Sequence, residues 1–148
     1  MQFPIEDISF LKELIPQREP FIMVDRLLYF DDKEIAAGLL VTDDNILSTT
    51  NNFSESGIVE HMAQTIALHT GYSFFLKGKP APMGYIGAIK NLEIYELPET
   101  GTVVQSKATI LQEFMGVTLM DVVTKVGEKV IAVAKMKTVI ASDKSTDN

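Results

Sequence analysis

One long helix set inside a chain that otherwise reads as strands constrains this sequence most. The run from Asn51 to Gly71 carries capping signals at both ends: Asn52 can open the helix with Glu55 three residues on, and Gly71 suits the left-handed position after a helix. About eighteen helical residues would span about 27 Å. At about 100° per residue, Ile58, Val59, Met62, Ala63, Ile66 and Ala67 cover roughly half the circumference. So wide an apolar arc predicts a helix lying in the concavity of a sheet. Around it, strands are expected over Pro20–Phe30 and Glu34–Val41, joined at Asp31-Asp32. Further strands are expected over Gly84–Tyr95, Thr102–Glu113, Gly116–Val126 and Lys129–Ile140, the last two joined at Gly127-Glu128. Along the last strand, Val130, Ala132, Ala134 and Met136 fall on one face and Lys129, Lys135 and Lys137 on the other. Long strands with short connections predict an antiparallel meander. Ile5, Ile8, Leu11, Leu14 and Ile15 recur at helical spacing, so a short helix is expected over 5–15, ended by Pro16. The expectation is a single α+β domain over 1–141 and a disordered polar tail over 142–148.

Composition narrows the function classes. With 148 residues, 46% of them hydrophobic, the chain fits one globular domain. The absence of Cys excludes disulfides, thiolate metal sites and thiol catalysis. A net charge of −7 argues against a general affinity for nucleic acid or anionic membrane. No apolar run approaches the ~20 residues that cross a bilayer, and the amino end has neither the basic nor the apolar part of a signal peptide. A soluble, cytoplasmic protein is expected. No Walker loop, no G-x-G-x-x-G after a strand and no G-x-S-x-G elbow occurs, and no cofactor is expected.

The polar residues of the long helix are its candidate chemistry. Glu60, His61, Gln64 and Thr65 share one arc, with Glu60 at its edge beside Ala63 and Ala67. A carboxylate at the rim of an apolar surface is desolvated, which favours a role as general acid or base, and Gln64 one turn on can hold it. The competing reading is a solvated helix residue. His61 and His69 are eight apart, which is not the i, i+4 spacing of a helical zinc pair, so no metal site is expected. His69 falls on the apolar arc as a neutral, hydrogen-bonded core histidine, and His61 reads as surface or interface. Lys77, Lys79 and Lys90 surround the connection after the helix, and Gly78, Pro80, Pro82 and Gly84 make 77–84 a flexible segment expected to gate a pocket.

Two of these segments resemble a known family. The run Ile15-Pro16-Gln17-Arg18-Glu19-Pro20-Phe21-Ile22-Met23-Val24-Asp25-Arg26 resembles the opening of the β-hydroxyacyl-acyl carrier protein dehydratases. Glu60-His61-Met62-Ala63-Gln64 resembles their helix signature, glutamate, two variable residues, alanine, glutamine. The order of the later strands follows the family, and the helix segment is closest to the dehydratase-like subunits of aryl polyene-type clusters. The resemblance implies a hotdog fold, a curved antiparallel sheet wrapped around one long central helix, usually paired as a dimer. It implies an acyl thioester substrate on acyl carrier protein or coenzyme A, and Glu60 as the acid that protonates the leaving hydroxyl. The family's catalytic histidine is missing: Asn52 precedes the anchoring Phe53, and Gln17 replaces the histidine of the opening motif. Asn52 is the residue nearest that role, with Gln64, Phe53, Gly57 and Ile58 expected beside the substrate. Three functions remain open: a dehydratase or dehydratase subunit, a hotdog thioesterase in which Glu60 activates water, and a non-catalytic subunit that binds acyl groups or the carrier protein. In the family the histidine and the acid of one site come from opposite subunits, so the expected assembly is a homodimer or a heterodimer with a second hotdog subunit.

Overall fold

The computed structural model describes residues 2–141. The tail expected over 142–148 lies outside the described residues. In chain order the elements are α1 (Ile8–Leu14), β1 (Arg26–Phe30), β2 (Glu34–Leu40), β3 (Ser48–Thr49), β4 (Asn52–Phe53), α2 (Glu55–Leu76), β5 (Gly84–Ile94), β6 (Val103–Phe114), β7 (Val117–Val126) and β8 (Lys129–Ile140). Six strands form one sheet in the order β1-β2-β6-β7-β8-β5, every pair antiparallel. The meander expectation holds for β6, β7 and β8. It fails for β5, which crosses to the far edge and pairs with β8, not with its successor β6.

The inner face of the sheet supplies Leu27, Ile35, Ala37, Val104, Ala108, Met120, Val122, Ala134 and Met136, all at most 2% exposed, and these join Ile58, Met62 and Leu68 of α2 in one hydrophobic cluster. That is the hotdog arrangement. One bulge breaks the expected parity of β8: Thr124 pairs with Ala132 and Lys125 with Val130, leaving Ile131 as the extra residue. Ile131 is consequently fully buried and Val130 turns outward, 37% exposed.

Both ends of the long helix differ from expectation. Ser54 is the cap, its hydroxyl accepting from Gly57 N at 3.1 Å, while Asn52 lies in β4 opposite Thr49. At the other end the helix runs five residues past Gly71 to Leu76. Gly71 is required for a different reason, since a Cβ there would sit 2.0 Å from the carbonyl oxygen of Leu14. The end of α1 therefore rests directly on the backbone of α2. The amino-terminal helix is shorter than expected, capped by Asp7, and Ile5 instead bridges to Leu27 at the rim of β1.

Candidate functional site

Residues 21–24, ahead of β1, read as a strand in sequence yet pair with no strand among the described residues, while Asp25 N donates to the Gly38 carbonyl of β2. This segment crosses the polar arc of α2, and helix side chains take the place of a neighbouring strand. The Gln64 carboxamide oxygen accepts from Met23 N at 2.6 Å, and its nitrogen donates to the Phe21 carbonyl at 2.8 Å and to Glu60 Oε2 at 2.8 Å. Both amide hydrogens are thus used, and Gln64 is fully buried. His61, expected at the surface or an interface, is also fully buried. Its Nδ1 lies 2.7 Å from the Met23 carbonyl oxygen, and because a carbonyl only accepts, Nδ1 carries the proton. Burial pushes the His61 pKa down to about 4. The polar arc therefore faces a strap, residues 21–24, rather than water. His69 is half-buried, its Nε2 donating to the Asp31 carbonyl at 2.9 Å beside the Phe30 ring.

At the edge of this arc Glu60 turns away from the strap and lines a groove of about 540 Å³. One wall is α2 (Ala63, Ile66, Ala67 and Thr70), another is the end of α1 and the following residues to Gln17. The far wall is formed by residues 80–83, the start of β5 and the end of β8. The surface is largely aliphatic with one fixed carboxylate: Gln64 holds Oε2, and Oε1 accepts no hydrogen bond from the described residues. The groove ends at β5, whose outer edge has no strand partner among the described residues and exposes Tyr85, Ile86, Ile89 and Leu92. Residues 80–84, in the connection after α2 and at the start of β5, line this groove.

The structure unites Glu60 with Gln64 and separates them from the other expected residues. The Asn52 amide donates to the carbonyls of Leu97 at 3.3 Å and Pro98 at 3.5 Å, and Asn52 does not line the groove. It precedes the helix, whereas Glu60 stands six residues beyond the Ser54 cap, about 9 Å along the axis. Phe53 and Ile58 are at most 1% exposed, and the Phe53 ring fills the space of a Gly57 Cβ, 2.4 Å from its ideal position. These three, expected beside substrate, are packed into this chain's core. What sequence reasoning missed is the strap and the role of His61. The available signal was a β-rich segment with no alternating polar face, set against two hydrogen-bonding helix residues three apart. Among the described residues no helix is long and apolar enough to cross a membrane.

Residues 10–147 match the ApeP-like family, described as ApeP dehydratase. The chain is 26% identical over 139 residues to the 3-hydroxyacyl-[acyl-carrier-protein] dehydratase FabZ of Aliivibrio fischeri, covering 88% of this chain and 91% of that one. It is 28% identical over 146 residues to the enzyme of the same name from Rickettsia bellii, covering 94% and 98%. Among solved structures, the dehydratase heterocomplex ApeI:P from Xenorhabdus doucetiae superposes with a TM-score of 0.79 at 14% identity, covering 99% of this chain and 97% of that one. Cj0977, a sigma28-regulated virulence protein from Campylobacter jejuni, superposes with a TM-score of 0.72 at 14% identity over 97% and 96%; both likenesses are of fold. The chain belongs to the ApeP-like dehydratase family, as a hotdog dehydratase or dehydratase-like subunit.

Proposed function

We propose that this chain supplies the acidic half of a dehydration site for a 3-hydroxyacyl thioester on acyl carrier protein, and that a second hotdog subunit supplies the base. One observation carries the reading: a single oriented carboxylate, Glu60, in an aliphatic groove that no histidine lines and that ends at an unpaired strand edge. The relatives' names, acyl-carrier-protein dehydratases and a dehydratase heterocomplex, support the substrate class and the pairing.

In the reaction the base removes the α-proton, and the electrons of that C–H bond form the Cα=Cβ bond. The C–O bond at the β-carbon breaks, and the departing oxygen takes a proton from the Glu60 carboxylic acid and leaves as water. With Oε2 held by Gln64, Oε1 is the oxygen free to deliver that proton. Asn52 has no useful basicity near neutral pH, so it does not abstract the α-proton. A chain pairing with itself would leave the base unfilled. Under this reading β5 of one subunit meets the partner's edge, and a heterodimer is the active form.

The test is dehydration of a 3-hydroxyacyl-acyl carrier protein, followed by the enoyl thioester absorbance, with the chain alone and mixed with a histidine-bearing hotdog subunit. Little turnover is expected alone and full turnover in the mixture. Glu60→Gln in the mixture should lower kcat by about 100-fold with KM nearly unchanged. Full activity of Glu60→Gln, or brisk dehydration by the chain alone that survives Asn52→Ala, would refute the proposal. Release of free thiol without enoyl product would make the protein a thioesterase.

A further inference from the structure

We infer that His61 is a positioning residue: by holding the Met23 peptide it fixes which end of the Gln64 carboxamide faces Glu60. The inference rests on the proposed role of Glu60 and adds a residue that the dehydration chemistry itself does not require. Four hydrogen bonds carry it. His61 Nδ1 donates to Met23 O at 2.7 Å, Met23 N donates to Gln64 Oε1 at 2.6 Å, and Gln64 Nε2 donates to Phe21 O and Glu60 Oε2, each at 2.8 Å. His61, Met23 and Gln64 are fully buried, so water cannot replace a partner that is lost.

The two ends of a carboxamide differ only in chemistry, and a half-turn about its last bond exchanges them. Exchange here would put the Gln64 oxygen against the Phe21 carbonyl and the Glu60 carboxylate, and its nitrogen against the Met23 N–H. All three contacts would pair like with like. The strap therefore fixes Gln64 only while the strap itself is fixed. Residues 21–24 have no strand partner among the described residues. Asn45 reaches the Met23 sulfur at 3.4 Å and Asp25 N donates to the Gly38 carbonyl. Of the strap's own peptide groups, however, Met23 N and Phe21 O are held by Gln64, and the Met23 carbonyl is held by His61 alone among the described side chains. The imidazole does this in one tautomer. Its Nε2 is buried and has no hydrogen-bond partner among the described residues, so the Nδ1 contact is its single polar anchor. Glu60 then always meets an N–H at Oε2, which leaves Oε1 as the proton-delivering atom.

Nuclear magnetic resonance on the folded chain tests this without turnover. In the wild type, long-range nitrogen–proton spectra should show Nδ1 protonated and Nε2 bare; a protonated Nε2 overturns the inference. In His61→Leu, which keeps apolar volume but has no donor, exchange protection of the Gln64 side-chain amide protons and of the Met23 amide should fall about tenfold, as for a lost buried hydrogen bond. His61→Asn, whose amide nitrogen can stand where Nδ1 stood, should restore most of that protection. Protection in His61→Leu within twofold of wild type overturns the inference, as does His61→Asn behaving like His61→Leu, which would mean packing and not the donor matters. In the two-subunit assay, His61→Leu should lower kcat while KM changes little. The spectra report on the native site, so the dehydration proposal can fail while this inference stands, and the reverse.

Discussion

Replacing Gln64 by leucine separates the hydrogen-bonding role of this side chain from its volume. Three contacts are lost, and they are unequal. Met23 is 0% exposed, so its N–H would be stranded without water, a cost of about 1–3 kcal/mol. Phe21 is 54% exposed and its bond to Gln64 is only partly buried, so that loss costs less than the Met23 one. The Glu60 contact is half-buried and contributes about 0.5 kcal/mol. Leucine returns part of this by burying apolar surface, so the net expectation is a loss of about 2 kcal/mol, dominated by one peptide N–H. Urea unfolding followed by circular dichroism, at equal protein concentration so that assembly does not differ, reads the change in midpoint. Gln64→Glu sharpens the test because it retains an acceptor for Met23 N but faces Glu60 with a second carboxylate. Like charges raise the folded-state pKa of the new group above its unfolded value, so its penalty is absent below about pH 4 and grows as pH rises. A Gln64→Leu protein within 0.5 kcal/mol of wild type, or a Gln64→Glu protein equally destabilised at pH 4 and pH 7, would refute the view that Gln64 stands in for a strand partner.

Two further outcomes follow from packing and burial. Gly71→Ala should destabilise by about 3 kcal/mol, because the added Cβ meets the backbone of Leu14 at 2.0 Å and α1 must withdraw; an unchanged urea midpoint would contradict that contact. His61 has a folded pKa near 4 against about 6.5 unfolded, so the unfolded chain binds the extra proton and stability falls as pH drops from about 6.5 to about 4, by ~3 kcal/mol in total. Subtracting the pH dependence of His61→Asn from that of wild type isolates this part, and identical curves would refute it.

Much of the fold was legible because turns and parity are local. The β6–β7 and β7–β8 turns at Gly116 and Gly127 have positive φ, and the flanking strands end within a residue of where the sequence predicts. Gly71 misled because a glycine near a helix end has two meanings, and the close approach of α1 is visible only in three dimensions. Ile131 broke the alternation of β8 because a bulge is a two-strand property, set by β7 as much as by β8. In the site, Glu60 and Gln64 were legible as an i, i+4 pair on one helix. His61 was not. Its burial depends on a segment 38 residues away, and helical periodicity gives the direction of a side chain without saying what covers it.

That covering segment explains why one helix can serve both core and site. An unpaired β-like strap against an apolar helix face would strand its own peptide groups, and a polar arc facing water would leave Glu60 free to rotate. Setting the strap on the polar arc answers both demands, since the groups that need partners supply them to one another. Glu13 makes the contrast: it reaches the same groove from α1, exposed, and no described residue fixes its carboxylate. The opposite wall of the groove has the reverse property. Gly84, Tyr85 and Ile86 border it while belonging to the edge strand β5, whose outer side lacks a partner among the described residues. Under the proposed function, a subunit adding a strand along that edge would also border the groove, so assembly and completion of the site would be one event. On the proposal that a partner supplies the base, the half of the site built on Glu60 and Gln64 is set from the core outward, and the half the partner would bring faces this edge.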